Sequence, residues 1–241
     1  MDTLIDFLAE ARDAYRRNDW RASYVAFVRA DALGPMSTDD LDAYAAAAWR
    51  LGDGREAVRL AERTYDRLVR TDPAAAAMKA TVLALQWHVR GHRALSRAWA
   101  DRARALVSGV PAGAAHAFLA YLDAAAALDD DDTASLARAA AALREAAAQT
   151  ADASHALLLR VVDGVAALVA SRQADGYRLI DEVLLPVLDD RLPLEWAGDV
   201  YRLVLRSTRA DTVHRQAWTE SMQRWVAITG VSMDTDSVNR P

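Results

Sequence analysis

Apolar residues recur along this chain at the spacing of amphipathic helices, and the helices come in pairs. Within residues 44–65, apolar side chains repeat at intervals of three and four on both sides of the short segment 51–54. This spacing places them on one face of a helix with about 3.6 residues per turn. Glycine permits the reversal between the two helices, and small alanines let them approach closely. The pattern predicts a hairpin of two helices.

Similar hairpins recur along the whole chain. Their turns are anchored at six positions, which are Asn18, Gly52, Gly91, Asp130, Ser171 and Ala210. Successive anchors are 34, 39, 39, 41 and 39 residues apart. Loops between unrelated helices have no reason to be spaced so evenly, so the spacing indicates a repeat. The predicted fold is all-α, a right-handed α-α superhelix (a solenoid) of about six helix pairs over residues 1–230, followed by a flexible tail at 231–241.

The composition narrows the function classes. The formal net charge of -5 and the pI near 5.5 argue against a dedicated nucleic-acid binder, which normally has a basic surplus. Lys79 is the only lysine, and the abundant arginine is typical of a GC-rich bacterial genome, so it does not by itself indicate phosphate binding. Cysteine is absent, which excludes disulfides, thiolate metal sites and cysteine catalysis.

Neither the N-terminal segment nor any apolar segment of the chain indicates a membrane protein. Residues 1–17 start with an acidic residue and lack the basic-then-apolar order of a signal peptide. No window approaches the length of an uncharged apolar span. The expected location is the cytoplasm, with no membrane partner.

Residues 18–35 resemble the second half of a tetratricopeptide repeat, with residues 18–20 standing where the motif has Gly-Asp-aromatic. The small, aromatic, small and proline positions of that motif are occupied by Ser23, Phe27, Ala30 and Pro35. Segment 51–58 is similar to the same signature. The last pair departs from it, because Arg215 stands where the repeat has a small residue.

Segments 45–65, 96–113, 196–205 and 217–226 resemble the helical-repeat region of large bacterial LuxR-type transcriptional regulators. The DNA-binding helix-turn-helix of such regulators lies outside these repeats, and no segment here resembles it. The resemblance therefore implies a sensing or protein-docking module, free-standing or part of a larger chain, without direct nucleic-acid binding.

In tetratricopeptide arrays the first helix of each pair lines a concave groove, and its late positions point into that groove. By this register the candidate groove residues are Arg12, Tyr15, Arg16, Trp49, Arg50, Leu85 and His88. A lining of arginine and aromatic side chains suits a peptide that carries carboxylate or phosphate groups. A solvated face without any ligand is the equally weighted alternative. The other apolar-stripe tryptophans, Trp20, Trp99, Trp218 and Trp225, are predicted to be core.

No metal, cofactor or catalytic motif emerges. His88 and His92 have the spacing of a two-histidine metal site, but Gly91 places the predicted turn between them. The acidic run 129–132 lacks the glycine and glutamate of a calcium-binding EF-hand loop, and Asp132 is better interpreted as a helix cap. Neither a Gly-x-Ser-x-Gly elbow nor a phosphate-binding Gly-Lys loop is present.

Three functional hypotheses follow. The first is a non-enzymatic interaction or regulatory module, active in transcriptional regulation, that binds a peptide or partner protein in its groove. The second is a domain that senses a small-molecule effector. The third, and least supported, is an enzyme that uses His88 or His92. Homodimer formation through an end pair is a further expectation, because a terminal repeat without a polar cap exposes apolar surface.

Overall fold

The computed structural model describes residues 3–188, 190–208 and 212–231, and these form twelve α-helices and no strand. The first six are α1 (Leu4–Arg16), α2 (Trp20–Leu33), α3 (Thr38–Arg50), α4 (Gly54–Thr71), α5 (Pro73–Val89) and α6 (Arg93–Val107). The second six are α7 (Ala114–Asp129), α8 (Thr133–Ala148), α9 (Ala153–Val169), α10 (Gln173–Leu184), α11 (Leu194–Ser207) and α12 (Thr212–Thr229). Neighbouring helices pack in pairs, which confirms the predicted all-α class and its hairpins.

The chain divides into two compact units. Unit 1 (Met1–Val110) contains α1–α6, and unit 2 (Pro111–Pro241) contains α7–α12, so each unit has three helix pairs. The sequence predicts one domain over residues 1–230 and marks only the end of a helix pair at this place. Of the predicted tail at 231–241, only Val231 lies within the described residues, and it is buried. No helix in the described ranges is long and apolar enough to cross a membrane.

Five turns between the helices of a pair share one backbone conformation. Each contains a residue with φ between 53° and 81°, the left-handed region that favours glycine and asparagine; these residues are Asn18, Gly52, Gly91, Asp131 and Ser171. Asn18, Gly52, Gly91 and Ser171 are the predicted anchors of their turns. In the turn of the fourth pair the left-handed residue is Asp131, one position after the predicted Asp130. The sixth predicted anchor, Ala210, lies outside the described residues.

The hydrogen bonds of these five turns are those of a Schellman motif. The left-handed residue donates its backbone N–H to the carbonyl three positions earlier, at 2.9–3.3 Å. The next residue donates to the carbonyl five positions earlier, at 2.8–3.0 Å. That next residue also begins the second helix of the pair. The turn therefore satisfies the end of one helix and starts the next without any intervening loop.

The residue that begins each second helix differs among the pairs. Asp19, Asp53 and Asp132 each accept a hydrogen bond from the backbone N–H three positions later, at 3.0–3.1 Å. The cap predicted at Asp132 is thereby confirmed. His92 and Arg172 occupy the same position in the third and fifth pairs and make no such bond.

In unit 1, aromatic packing and ion pairs join successive pairs. The rings of Phe27 and Tyr44 stack with their centres 5.5 Å apart, within the core formed by α1–α4. Arg63 of α4 makes two hydrogen bonds of 2.7 Å to Asp31 of α2. That guanidinium holds the pKa of Asp31 below its ordinary value. The first and second pairs are therefore joined by both apolar and ionic contacts.

In unit 2, side chains of α7 and α11 meet at three places along the two helices. The rings of Phe118 and Trp196 have centres 4.5 Å apart near the start of both helices. Tyr121 donates its hydroxyl hydrogen to Asp199 at 2.9 Å in the middle. Near the end, the guanidinium of Arg206 lies 2.9 Å from the carboxylate of Asp129. The contacts keep a constant register, so the two helices run parallel.

In a solenoid each pair touches mainly its neighbours, but α7 and α11 belong to the fourth and sixth pairs. The physical reason is the size of the side chains between them. Phe118, Tyr121 and Trp196 are all buried, and they fill the space between the first helices of unit 2. The first helices of this unit therefore do not form a solenoid with an open inner face.

The packing of α9 against α10 depends on two glycines. A Cβ atom on Gly176 would lie 2.5 Å from Leu168 Cδ2 and 2.9 Å from the carbonyl oxygen of Gly164. A Cβ on Gly164 would likewise lie 2.7 Å from Ile180. Since real Cβ atoms do not approach backbone this closely, glycine at both positions allows the close approach of the two helices.

Replacing Gly176 with alanine is expected to destabilise unit 2 by up to about 2 kcal/mol. The helix-propensity gain of about 1 kcal/mol is outweighed by overpacking, which costs about 1–3 kcal/mol in a well-packed core. Urea unfolding of the variant measures the difference. Gly54→Ala is the control, because its new Cβ meets only the flexible end of an arginine side chain. Equal stabilities of the two variants would contradict the account of the α9–α10 contact.

His155 is buried in unit 2 and gives it a pH dependence. Its Nδ1 lies 2.6 Å from the Thr150 hydroxyl, and its ring packs edge-on against Phe118. Its Nε2 has no hydrogen-bond partner among the described residues. Burial lowers the pKa of His155 and outweighs the opposing effect of Asp152.

The pKa of His155 is lower in the folded protein than in the unfolded chain, so as pH falls the unfolded chain takes up a proton on this residue first. Unit 2 is therefore expected to lose stability as pH falls below about 6.5. The loss levels off once the pH passes below the folded pKa. Unfolding free energies measured across this pH range should show the decline in the native protein and a flatter profile in His155→Asn. Asparagine is chosen because it places a polar atom near the position of Nδ1. Identical slopes in the two proteins would rule out His155 as the source.

Candidate functional site: the turn edge of unit 1

The turns of unit 1 are linked to one another by arginine side chains. The guanidinium carbon of Arg50, at the end of α3, lies 4.5 Å from the ring centre of Trp20, the first residue of α2. Arg90, which follows α5, donates to the carbonyl oxygen of Gly54, the first residue of α4, at 3.1 Å. Each arginine thus reaches from one pair to the equivalent position of the pair before it. We call the surface formed by Tyr15, Arg16, Trp20, Trp49, Arg50, Gly54, Trp87, His88, Arg90 and His92 the turn edge.

The turn edge contains five of the seven predicted groove residues. Tyr15 packs edge-on against Trp20, with ring centres 5.3 Å apart. Arg16 forms an ion pair with Asp13 and keeps 72% of its side chain exposed. Trp49 is half-buried against the core of α1–α4. Arg50 covers Trp20, as described above, and His88 lies half-buried in the last turn of α5.

The other two predicted residues have different surroundings. Arg12 donates through Nε and Nη2 to the two carboxylate oxygens of Asp40, at 2.7 and 2.8 Å, and so joins α1 to α3. These hydrogen bonds hold the pKa of Asp40 below its ordinary value. Leu85 is only 1% exposed and belongs to the packing of α5. It stands one helical turn earlier than His88, and that register faces the neighbouring helices.

Arg90 is held on the turn edge by two backbone carbonyls and an aromatic ring. Its Nη1 donates to the carbonyl oxygen of Gln86 at 2.8 Å, and its Nη2 donates to that of Gly54. Its guanidinium carbon lies 5.8 Å from the ring centre of Trp87. No carboxylate among the described residues pairs with it, and partial burial lowers its pKa. The guanidinium is therefore oriented by neutral acceptors alone.

Gly54 makes room for this arrangement. A Cβ atom at position 54 would overlap Nη2 of Arg90. The equivalent position in the first pair holds Trp20, and there the arginine of the next pair lies over the ring instead of on the backbone carbonyl. The first residue of the second helix therefore contacts an arginine of the next pair in both cases, through the ring of Trp20 or through the backbone carbonyl of Gly54.

Three turn-edge residues were missed as candidates by the sequence analysis. Trp20 was predicted to be core, but it is half-buried beneath Arg50. Trp87 lies edge-on to the His92 ring, with centres 5.3 Å apart, and its indole nitrogen has no hydrogen-bond partner in the described part of the chain. Arg90 carries no motif of its own. The one feature of the sequence that could have indicated Arg90 is its place directly before Gly91, the left-handed residue of the turn.

The other predicted core tryptophans are confirmed. Trp99, Trp218 and Trp225 are all buried. Trp99 lies edge-on to Tyr65 with ring centres 5.0 Å apart. The indole N–H of Trp218 donates to Asp181 at 2.8 Å. These rings serve the packing of their own units.

Unit 2 contains a cavity of about 550 Å³ near the ends of its first helices. Leu128, Leu168, Val169 and Leu203 supply apolar lining, and Arg206 supplies a cation that is paired with Asp129. Leu128 and Leu168 stand three residues before the left-handed residues of their turns, as Tyr15, Trp49 and His88 do in unit 1. The same repeat register that carries aromatic and polar rings in unit 1 is therefore aliphatic in unit 2.

The two histidines of the third turn lie on opposite sides of the turn. His92 is the N-cap of α6 and packs against Trp87, whereas His88 lies on the preceding helix. Across residues 3–188, 190–208 and 212–231, no group of three or more His, Asp or Glu side chains is arranged to hold a metal ion. In the acidic run, Asp129 pairs with Arg206 and Asp132 caps α8.

The chain was compared with protein-family models, curated proteins and solved structures. No family model, curated protein or solved structure matches it.

Proposed function

We propose that this protein is a non-enzymatic helical-repeat module that binds a peptide or partner protein along the turn edge of unit 1. The observation that carries the proposal is the pair of inter-repeat contacts, Arg50 on Trp20 and Arg90 on Gly54. They hold guanidinium groups and aromatic rings on three consecutive turns. Such groups recognise acidic and aromatic side chains by bidentate hydrogen bonds and stacking.

The extent of this surface favours a polypeptide ligand. Packed helices lie about 8–10 Å apart, so the first and third turns of unit 1 are separated by roughly 20 Å. That distance suits a peptide in extended or helical form better than a small molecule. Arginine and tryptophan are also the residues most often responsible for affinity at protein interfaces.

The proposal includes the class of repeat and its setting. We place the hairpins of each unit in the tetratricopeptide-like, right-handed superhelical class, because the turns recur at near-constant spacing with one conformation. The resemblance to the repeats of LuxR-type regulators supports a role in transcriptional regulation, in the cytoplasm, through protein contacts. Both assignments rest on the residues of the hairpins and on that resemblance.

A peptide-binding experiment tests the proposal. Peptides selected against the protein from a random phage-displayed library are resynthesised with a fluorophore, and their affinities are measured by fluorescence polarisation. Alanine substitution of Arg16 or Arg50 should weaken binding by about tenfold, the typical cost of truncating an interface arginine. Arg70→Ala is the matched control, since exposed Arg70 lies in the last turn of α4, at the opposite end of that helix from the turn edge. Equal affinities for all three variants and the native protein would defeat the proposal.

A second candidate function is the sensing of a small-molecule effector by unit 2. Its cavity of about 550 Å³ lies within the usual range of ligand pockets, about 300–1,000 Å³. The mixture of aliphatic lining with a few polar groups is also typical of such pockets.

A metabolite panel screened by thermal shift tests this alternative. A ligand selective for the native state at about one hundred times its Kd stabilises a protein by about 2.7 kcal/mol. The shift should disappear in Val169→Trp, because the new ring would occupy the cavity that Val169 lines. A panel without any stabilising compound, or a shift that survives this substitution, would count against unit 2 as a sensor.

A further inference from the structure

Arg90 differs from three other cations that join helix pairs in unit 1. Arg12, Arg63 and Lys79 each meet a carboxylate of another pair, with N–O distances of 2.7–2.8 Å. Arg90 bridges pairs as they do, but it meets the carbonyl oxygen of Gly54 instead. No described carboxylate compensates its charge. Arg90 therefore joins two pairs without the carboxylate that Arg12, Arg63 and Lys79 each contact.

The missing anion has an energetic consequence. A guanidinium stays protonated in proteins, and the contacts of Arg90 with the Trp87 ring and two carbonyl oxygens replace part of its water without supplying a counter-charge. The direction of its pKa change is consistent with this desolvation. The two carbonyl bonds use two of its five N–H donors, which leaves three for another acceptor. An oxyanion at this position would supply both the charge and the acceptors.

The surroundings favour an anion carried by a polypeptide. Arg90 is exposed, so a ligand can reach it. The Trp87 ring lies beside the guanidinium, and His92 lies beside Trp87. A peptide side chain next to the anionic one can pack on these rings. Arg16 and Arg50 place two further guanidinium groups at the first and second turns of the same unit.

We infer that Arg90 is an anchoring residue for an oxyanion-bearing side chain of the bound peptide, a carboxylate or a phosphoryl group, with Trp87 as the neighbouring apolar contact. This inference rests on the proposed function and names the class of partner, which is an acidic or phosphorylated segment. Gly54 is the positioning residue, because its lack of a side chain lets Nη2 of Arg90 reach the carbonyl oxygen.

The test uses the full chain and the library-selected fluorescent peptides. Each acidic residue of a peptide is replaced in turn by its amide counterpart, and one version carries phosphoserine at the same position. The protein variants are Arg90→Gln, Arg90→Lys and Gly54→Ala, with Arg70→Ala as control. Melting temperatures are recorded for every variant, so that a loss of fold is separated from a loss of binding.

One acidic position of the peptide is expected to be essential. Its amide version, and the Arg90→Gln protein, should each bind roughly ten- to hundredfold more weakly, since a hydrogen bond to a charged group contributes about 1.5–3 kcal/mol. Combining the two changes should cost little more than either alone. Arg90→Lys should recover only part of the affinity, because lysine lacks the planar fork.

Gly54→Ala provides a variant that keeps the charge. The new methyl group should displace the Arg90 side chain and weaken binding, while the melting temperature is retained or raised. It also keeps the inference testable if Arg90→Gln fails to fold. The relative affinities of the glutamate and phosphoserine peptides identify the source of the oxyanion.

The result that overturns this inference differs from the one that defeats the proposed function. Peptides that lose affinity with Arg16→Ala and Arg50→Ala, but are indifferent to Arg90→Gln, Gly54→Ala and every amide substitution, would refute the Arg90 anchor alone. Peptides indifferent to all the turn-edge variants would refute both.

Discussion

Replacing Asp199 with alanine is expected to destabilise unit 2 by about 3–5 kcal/mol, the cost of removing one partner from a buried charged contact. Asp199 is buried, accepts from Tyr121 at 2.9 Å and lies 3.1 Å from Nη1 of Arg202. Without its carboxylate, the buried hydroxyl and the guanidinium lose their acceptor together. Urea unfolding, combined with amide hydrogen exchange of α7 and α11, measures the loss and assigns it to this unit.

Asp163→Ala is the matched control for that experiment. Asp163 also pairs with an arginine, Arg144, at 2.8 Å, but both side chains are partly exposed. Such surface pairs contribute about 1 kcal/mol or less. If Asp199→Ala cost no more than Asp163→Ala, the buried contact between α7 and α11 would not stabilise the unit as described.

Trp196→Ala is expected to cost unit 2 about 3–5 kcal/mol, the usual penalty for truncating a buried aromatic ring. Trp196 is 0% exposed and lies against Phe118 and Tyr121, with ring centres 4.5 and 6.0 Å away. Removing it leaves a cavity between the first helices of the fourth and sixth pairs. The free energy of unfolding by urea, followed by far-UV circular dichroism, measures the effect.

Leu185→Ala serves as the comparison, because Leu185 is 47% exposed at the end of α10. Surface substitutions of this kind stay within about 0.5 kcal/mol. A Trp196→Ala variant as stable as Leu185→Ala would show that the α7–α11 contact is not part of the core.

The hairpins could be predicted from the sequence because their determinants are local. Asn18, Gly52 and Gly91 tolerate the left-handed conformation at little cost, and Asp19 and Asp53 satisfy the following helix. Pro186 likewise predicts the end of α10, which stops at Leu184. Each of these signals acts within a few residues of the turn it sets.

The closed inner face of unit 2 could not be predicted in the same way. An amphipathic stripe predicts that Phe118 and Trp196 are buried, but it does not say against which helix. Their contact joins residues 78 positions apart in the sequence, as does that between Tyr121 and Asp199. The division into two units follows from such long-range packing as well.

The candidate site shows the same limit. The register of the first helices predicts a groove lining that includes Tyr15, Arg16, Trp49, Arg50 and His88. It could not reveal that Leu85 is buried, because that depends on how tightly the neighbouring pairs pack. Nor could the register single out Arg90. Its contact with the carbonyl of Gly54, and the lack of a carboxylate partner, depend on packing between pairs.

The measurement that tests the central claim most directly is amide hydrogen exchange of the full chain with and without a library-selected peptide. Binding at the turn edge predicts slower exchange in segments 14–21, 48–55 and 86–94, with little change elsewhere in unit 1. Protection confined to unit 2, or spread over helices away from these three turns, would contradict it.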